Sequence, residues 1–193
     1  PKRPQEPKEP YSYNSEDVLF ENDIDNVVLA GTLTFPKNGN NFPAVILISG
    51  SGGQDRNEEI FNHKPFFVIA DYLTRNGVAV LRFDDRGIAQ STGDHSNATT
   101  EDFARDVLAG VQFLKERKEI DKTKIGLIGH SEGGIIAPLV ATQSNDIAFI
   151  IMMAGTGIPG DSILYLQGAL IQRAEGISEE EIQKSLQTQK ELF

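Results

Sequence analysis

Residues 124–141 read KIGLIGHSEGGIIAPLVA, and this stretch determines the arrangement expected for the rest of the chain. An apolar run ends at Gly129, and a helical pattern opens at Glu132. The pentapeptide GHSEG therefore stands between a predicted strand and a predicted helix. A serine at such a turn is held in a strained backbone conformation with its hydroxyl exposed. Ser131 is thus a candidate nucleophile, and the helix beside it begins with unpaired N–H groups.

The overall composition indicates a globular protein with one core. The chain has 193 residues, of which 39% are hydrophobic and 24% charged. Its net charge of −10 argues against nucleic acid or an anionic membrane as a partner. The absence of cysteine excludes a disulfide scaffold, a cysteine nucleophile and a thiolate metal site. No apolar run approaches the roughly 20 residues of a membrane span.

The first residues have a composition of their own. Proline recurs at every third position from Pro1 to Pro10, with mostly charged residues between. This period suits an extended linker, which we predict for residues 1–14. The chain starts with proline rather than methionine, so we expect that an upstream segment has been removed. That expectation and the linker hint at export to the periplasm or medium, and the compartment is otherwise left open.

Strand and helix patterns alternate after the linker. The predicted strands cover residues 18–21, 27–35, 44–49, 78–83, 125–129 and 148–153. The first two flank a turn and predict an antiparallel hairpin. The later strands are separated by helical patterns, which predicts an α/β fold with a doubly wound, mostly parallel sheet. We assign residues 15–160 to this core. Residues 161–193 have helical patterns alone and are predicted to begin a helical cap.

A glycine-rich loop follows the third predicted strand. It begins Gly50-Ser51-Gly52-Gly53, and three glycines leave its backbone N–H groups accessible. A phosphate cradle is one interpretation, but neither the Gly-Lys-Ser/Thr ending nor dinucleotide spacing is present. We favour one half of an oxyanion hole, with an N–H from Ser51 or Gly52. The other half would be the N–H of Glu132.

Other loops are expected at the same edge of the sheet, where ligands bind in folds of this kind. Two of them carry Arg86 and Thr156, which are candidate substrate-binding residues. For Arg86 we prefer an ion pair with Asp85 that locks the loop. The loop pair Asp55–Arg56 receives the same interpretation.

Four motifs together resemble the α/β-hydrolase superfamily. They are GHSEGG at 129–134, SGSGGQDRN at 49–57, DDRGIAQS at 84–91 and MMAGTG at 152–157. The similarity covers about residues 16–160 and is greatest to bacterial esterases and serine aminopeptidase-like hydrolases with an antiparallel lead-in and a helical cap. It implies Ser131 as nucleophile, the oxyanion donors named above, an ester or acyl substrate of small size, and no metal or cofactor.

The resemblance also implies residues that this sequence lacks. The superfamily needs an acid and then a histidine after the nucleophile. The only histidines, His63, His95 and His130, all precede Ser131. Without a base a serine hydroxyl is a poor nucleophile. We therefore expect an incomplete fold, with the acid and base downstream of Phe193, and poor activity for these 193 residues alone.

The three histidines have modest predicted roles. The ring of His130 should point away from the nucleophile and serve packing or hydrogen bonding. His63 is expected in a solvated loop. His95 lies in a loop at the active edge and is the one candidate for a substitute base. The acidic cluster 179–181 is interpreted as a helix start and not as a metal site.

The sequence supports two classes of function. The first is a serine hydrolase that cleaves carboxylic esters or thioesters through an acyl-enzyme, with aminopeptidase-like activity as the alternative. The second is a hydrolase-like binding domain without catalysis. A last strand at 148–153 would leave the sheet with an unpaired edge, which invites self-association.

Overall fold

The computed structural model describes residues 3–192. Pro1 and Lys2 of the predicted linker and Phe193 of the predicted cap lie outside the described residues. The chain forms two compact units, of which the first ends at Gly155 and the second begins at Thr156. The predicted core extended slightly further, to residue 160.

The first unit is built on a six-stranded sheet in the order β1-β2-β4-β3-β5-β6. The strands are β1 (Tyr13–Asn22), β2 (Val27–Pro36), β3 (Phe42–Ile48), β4 (Ala79–Phe83), β5 (Ile120–His130) and β6 (Ile147–Met153). β2 pairs antiparallel with β1 and β4, whereas β4, β3, β5 and β6 run parallel to one another. The predicted hairpin and mostly parallel sheet are confirmed.

Helices cover both faces of the sheet. They are α1 (Pro65–Arg75), α2 (Thr100–Glu116) and α3 (Gly133–Gln143). Side chains alternate between the two faces along a strand. On β3, Ile46 packs in the cluster that includes α2 and α3, whereas Val45 and Leu47 pack with residues of α1. This explains why β3 is apolar at every buried position.

β1 starts earlier than the sequence predicts and reaches into the predicted linker. Tyr13 opens the strand, stacks on Tyr11 with ring centroids 5.2 Å apart and donates to Asp71 Oδ1 at 2.9 Å. The residues before it also contact the first unit, because Arg3 donates to the Phe61 carbonyl at 2.9 Å. This part of the predicted linker therefore lies against the domain.

The second unit consists of two helices, α4 (Gly160–Ala174) and α5 (Glu179–Leu192). They contact each other, and Ala169 and Ile182 are buried. A capping box starts α5: Ser178 N donates to Glu181 Oε2 at 3.3 Å, and Glu181 N donates to Ser178 Oγ at 3.4 Å. Between residues 3 and 192, no helix has the length and apolar character needed to cross a bilayer.

β6 forms one edge of the sheet. Within the described part of the chain it pairs with β5 alone, and its central side chains Phe149, Ile150, Ile151 and Met152 are exposed. Such an edge offers unpaired backbone groups beside apolar side chains. Self-association through this edge stays a prediction.

The loop that leaves β4 is locked by a buried ionic cluster around Arg86. This arginine is 6% exposed. Its Nε donates to Asp106 Oδ2 at 2.7 Å, and its Nη2 donates to Asp25 Oδ2 at 2.8 Å and to the Asp102 carbonyl at 2.8 Å. Hydrogen bonds from Arg105 and Arg86 lower the pKa of Asp25 to about 2. The cluster thus joins the β1–β2 turn, the β4 loop and α2.

Two carboxylates at the end of β4 hold the glycine-rich loop. Asp85 accepts from Ser49 Oγ at 2.6 Å and from Gln54 N at 2.8 Å, so one side chain fixes the loop on both sides of its glycines. Asp84 accepts from Arg56 N at 2.8 Å and pairs with Arg56 Nη2 at 2.7 Å. Asp85 therefore binds the glycine-rich loop, and the predicted pair with Arg86 is wrong, because the partners of Arg86 lie on α2 and in the β1–β2 turn.

Asp85 is 7% exposed, and its burial raises its pKa to about 7, although the hydrogen bonds from Ser49 and Gln54 oppose the shift. At pH values between the ordinary aspartate pKa of about 4 and this raised pKa, the folded protein retains a proton on Asp85 that the unfolded chain has lost. The stability that the neutral carboxyl contributes is fully present below about pH 4 and is lost as the pH rises through about 7.

The first prediction concerns Asp85→Asn. The amide keeps an acceptor for Gln54 N and a donor for Ser49 Oγ, but it does not ionise. The wild type loses the stability of its neutral carboxyl as the pH rises, and the variant does not. We therefore expect the unfolding free energy of the variant minus that of the wild type to be about 1–3 kcal/mol larger at pH 8 than at pH 5. Urea unfolding at both pH values measures the gain. The exposed Asp23→Asn serves as the control, and parallel pH profiles of Asp85→Asn and the wild type would contradict the prediction.

The second prediction concerns the Arg86 cluster. Arg86→Ala leaves Asp106 buried without a cation and should lower the unfolding free energy by about 3–5 kcal/mol. Arg105→Ala removes a more exposed member of the same cluster, with 30% side-chain exposure, and should cost about 1 kcal/mol or less. Denaturant titrations compare the two. Equal losses would mean that burial of Asp106 is not what makes Arg86 important.

Candidate active site

Ser131 lies at the turn between β5 and α3. Its φ is 52°, in the left-handed region that residues with a side chain rarely adopt. Two hydrogen bonds hold the turn: Ser131 N donates to the Met153 carbonyl at 2.9 Å, and the Ser131 carbonyl accepts from Gly134 N at 2.9 Å. The turn is therefore fixed on one side by β6 and on the other by the first turn of the helix.

Close backbone approach explains the glycines on either side of Ser131. A Cβ atom at Gly129 would lie 1.9 Å from the Gly133 carbonyl oxygen. A Cβ atom at Gly133 would lie 2.3 Å from the Ile48 carbonyl oxygen at the end of β3. Neither position can hold a side chain without displacing main chain. Gly129 is thus required by the close approach of the turn to itself, and Gly133 by the packing of the turn against β3.

The glycine-rich loop lies directly beside this turn. A Cβ atom at Gly50 would stand 3.1 Å from Ser131 Cβ. Within residues 3–192, the N–H groups of Ser51, Gly52 and Glu132 have no protein acceptor. These N–H groups belong to the two segments that meet at Ser131, and a ligand oxygen could accept hydrogen bonds from them.

A small cavity opens between the glycine-rich loop and the helices α2 and α3. Its volume is about 20 Å³, which is room for about one water molecule. Phe83, Phe103 and Ile136 contribute apolar surface, and Asp85 and Glu132 contribute carboxyl groups. The remaining lining residues are Ile48, Ser49, Gly50, Gly52, His95, Asp106 and Val107. The cavity is therefore apolar with a polar edge at the predicted oxyanion donors.

No imidazole in the described chain reaches the Ser131 hydroxyl. Among residues 3–192, Ser131 Oγ has no hydrogen-bond partner. His130 Nδ1 lies 2.6 Å from Glu58 Oε1, and the His95 ring lies 5.4 Å from the ring of Phe103. His95 lines the cavity, and its service as a substitute base stays a prediction.

The two predicted substrate-binding side chains are both engaged with protein groups. The guanidinium of Arg86 faces the carboxylates of the ionic cluster, which favours loop locking over substrate binding. Thr156 belongs to the second unit, where its hydroxyl donates to the Ile158 carbonyl at 2.9 Å and accepts from Ile158 N at 3.1 Å. Substrate binding by either residue stays a prediction. Between residues 3 and 192, no three potential ligand side chains converge as a metal ion requires.

Sequence reasoning missed Glu58. This glutamate is 3% exposed, and its carboxylate contacts both Gly50 and His130. It lies in a loop without periodicity, so no pattern marks it. Its unusual φ of 51° could not be read from the sequence either, because a glutamate gives no sign of a left-handed backbone.

Comparisons with known proteins identify the family of the chain. The sequence model of the family described as "Serine aminopeptidase, S33" matches residues 64–178. Esterase EstD of Thermotoga maritima is 32% identical over 160 residues, which are 80% of this chain and 38% of that protein. The chain therefore spans well under half of the curated relative that it matches.

Solved structures show the same fold. The esterase Pf2001 of Pyrococcus furiosus superposes with a TM-score of 0.68 at 25% identity, over 92% of this chain and 62% of that one. The α/β hydrolase GrgF of Penicillium sp. sh18 gives a TM-score of 0.63 at 27% identity, over 83% and 54%. With the family match over more than half of the sequence, these similarities establish that the chain belongs to the serine aminopeptidase S33 family of α/β hydrolases.

Proposed function

We propose that the protein is a serine hydrolase that cleaves carboxylic esters or thioesters through an acyl-enzyme on Ser131. The observation that carries this proposal is the position of Ser131 on a strained turn, beside N–H groups that have no acceptor in the described part of the chain. Strained backbone at a residue with a side chain is typical of functional sites. The similarity to an esterase at 32% identity supports the same reaction class.

In the proposed reaction, Ser131 Oγ attacks the carbonyl carbon of the substrate while a base removes its proton. The carbonyl oxygen becomes an oxyanion that accepts hydrogen bonds from Glu132 N and from the N–H of Ser51 or Gly52. The tetrahedral intermediate then expels the alcohol or thiol, which takes the proton from the base. Water attacks the acyl-enzyme by the same route and releases the acid and free Ser131.

The base and the acid that orients it are proposed to come from residues downstream of Phe193. The described residues supply no imidazole in contact with Ser131 Oγ. Loss of one triad member typically removes several orders of magnitude of rate while part of the electrostatic stabilisation remains. We therefore expect efficient turnover from the full-length protein and slow turnover from these 193 residues.

An aminopeptidase-like activity is the second candidate. Carboxyl groups of Asp85, Asp106 and Glu132 line the cavity, and a free amino terminus of a peptide would be attracted to such groups. Against this, Asp106 is bound to Arg86, and Glu132 Oε1 accepts from Thr100 Oγ1 at 2.9 Å. Parallel assays with p-nitrophenyl acetate and leucine p-nitroanilide separate the two activities, and we expect the ester to be the substrate.

The third prediction tests the nucleophile in the full-length protein. Ser131→Ala should abolish labelling by a fluorophosphonate probe and lower kcat/KM for p-nitrophenyl acetate by about 10⁴-fold or more. Ser144→Ala, at the far end of α3, is the matched control and should retain labelling and activity. Labelling that survives in Ser131→Ala would contradict the mechanism. A wild-type protein that is neither labelled nor active would favour the binding domain without catalysis.

A further inference from the structure

The glycine-rich loop can donate to an oxyanion only if its backbone keeps a fixed position relative to Ser131. Gly50 is the residue of this loop that adjoins the proposed nucleophile: a Cβ atom added to Gly50 would lie 3.1 Å from Ser131 Cβ. The two proposed donors, Ser51 and Gly52, follow it directly and are exposed. Whatever holds Gly50 therefore sets the direction of the N–H groups after it.

Gly50 is held by the carboxylate of Glu58. Gly50 N donates to Glu58 Oε1 at 2.8 Å, and the same oxygen lies 2.6 Å from His130 Nδ1. His130 immediately precedes the nucleophile. A single oxygen atom thus joins the loop after β3 to the residue before Ser131. The Gly50 N–H is occupied, which leaves the oxyanion to the N–H groups of Ser51 or Gly52.

The position of Glu58 is costly for the fold. Its side chain is buried, no lysine or arginine among residues 3–192 pairs with it, and its backbone has a φ of 51°. Burial of a carboxylate and a left-handed backbone are both unfavourable for the fold. The Asp55 carbonyl, which accepts from Glu58 N at 2.9 Å, keeps the turn in place. Such costs persist where the geometry serves a site.

We infer that Glu58 is a positioning residue that fixes the oxyanion donors against Ser131 through Gly50 N and the His130 ring. This inference rests on the proposed function, since it assigns a part of the same site. It also gives His130 a role: its ring is the second hydrogen-bond partner of the Glu58 carboxylate and not a base for Ser131.

The fourth prediction tests this role in the full-length protein. Glu58→Ala removes the acceptor of Gly50 N and should lower kcat for p-nitrophenyl acetate by about 10–100-fold with KM changed by no more than about twofold. Inhibition by phenylboronic acid, which forms a tetrahedral adduct on serine, should weaken by a similar factor. Glu58→Gln keeps an oxygen acceptor and should recover most of the loss. Glu59→Gln, at the exposed neighbour, is the matched control.

A second variant covers the possibility that Glu58→Ala does not fold. His130→Ala leaves the Gly50 contact and should reduce kcat several-fold, and it should cause no further loss when combined with Glu58→Ala. Amide hydrogen exchange at Ser51 and Gly52 should accelerate in Glu58→Ala, which reports loop position without any assay of activity. A normal kcat in Glu58→Ala overturns the inference and leaves the proposed function standing. If Glu58→Ala is unfolded, a normal kcat in His130→Ala has the same meaning. An inactive and unlabelled wild type overturns the proposed function and the inference with it.

Discussion

The contact between the backbone of the Ser131 turn and the end of β3 is the constraint on which the rest of the structure depends. Gly133 packs against the Ile48 carbonyl so closely that no side chain fits between them. That approach forces the chain from β5 into α3 through a single left-handed residue. It also places the loop after β3 beside Ser131, because this loop begins where β3 ends. The placement of β3 next to β5 and the glycine at position 133 therefore follow from the same close contact.

Around this contact, buried acids fix loops that the hydrophobic core does not reach. Asp85 and Glu58 each bind backbone N–H groups of the glycine-rich loop, and Asp106 holds Arg86. Buried acids are unfavourable unless their hydrogen bonds are satisfied. Asp85 has two hydrogen-bond donors and Asp106 has a cation, so most of their cost is offset, whereas Glu58 has only Gly50 N and the His130 ring beside it. The hydrophobic clusters on the two faces stabilise the sheet, and the acids near its carboxyl edge determine the shape of the site.

The sequence predicts most of this architecture, and the failures have physical causes. β3 can be predicted because its two buried faces leave an unbroken apolar run in the sequence. The serine turn can be predicted because the glycines that its packing requires are visible on either side of Ser131. The start of β1 was missed because its residues alternate with solvent-facing polar ones, as in Tyr13–Asn22. The partner of Arg86 was misassigned because Asp25 and Asp106 are far from it along the sequence and meet it only in the folded chain. Glu58 could not be found, since its role arises only when residues 50, 58 and 130 meet in the folded chain.

The loop anchors and the cavity floor come from different parts of the chain. Asp85 and Glu58, which hold the glycine-rich loop, lie after β4 and within the segment before α1. The apolar floor comes largely from Phe103 and Val107 of α2 and Ile136 of α3. Changes in those helical side chains can reshape the cavity, which Asp85 lines as well. Under the proposed function, directed evolution toward a new acyl group could therefore begin on two helices that carry neither Asp85 nor Glu58.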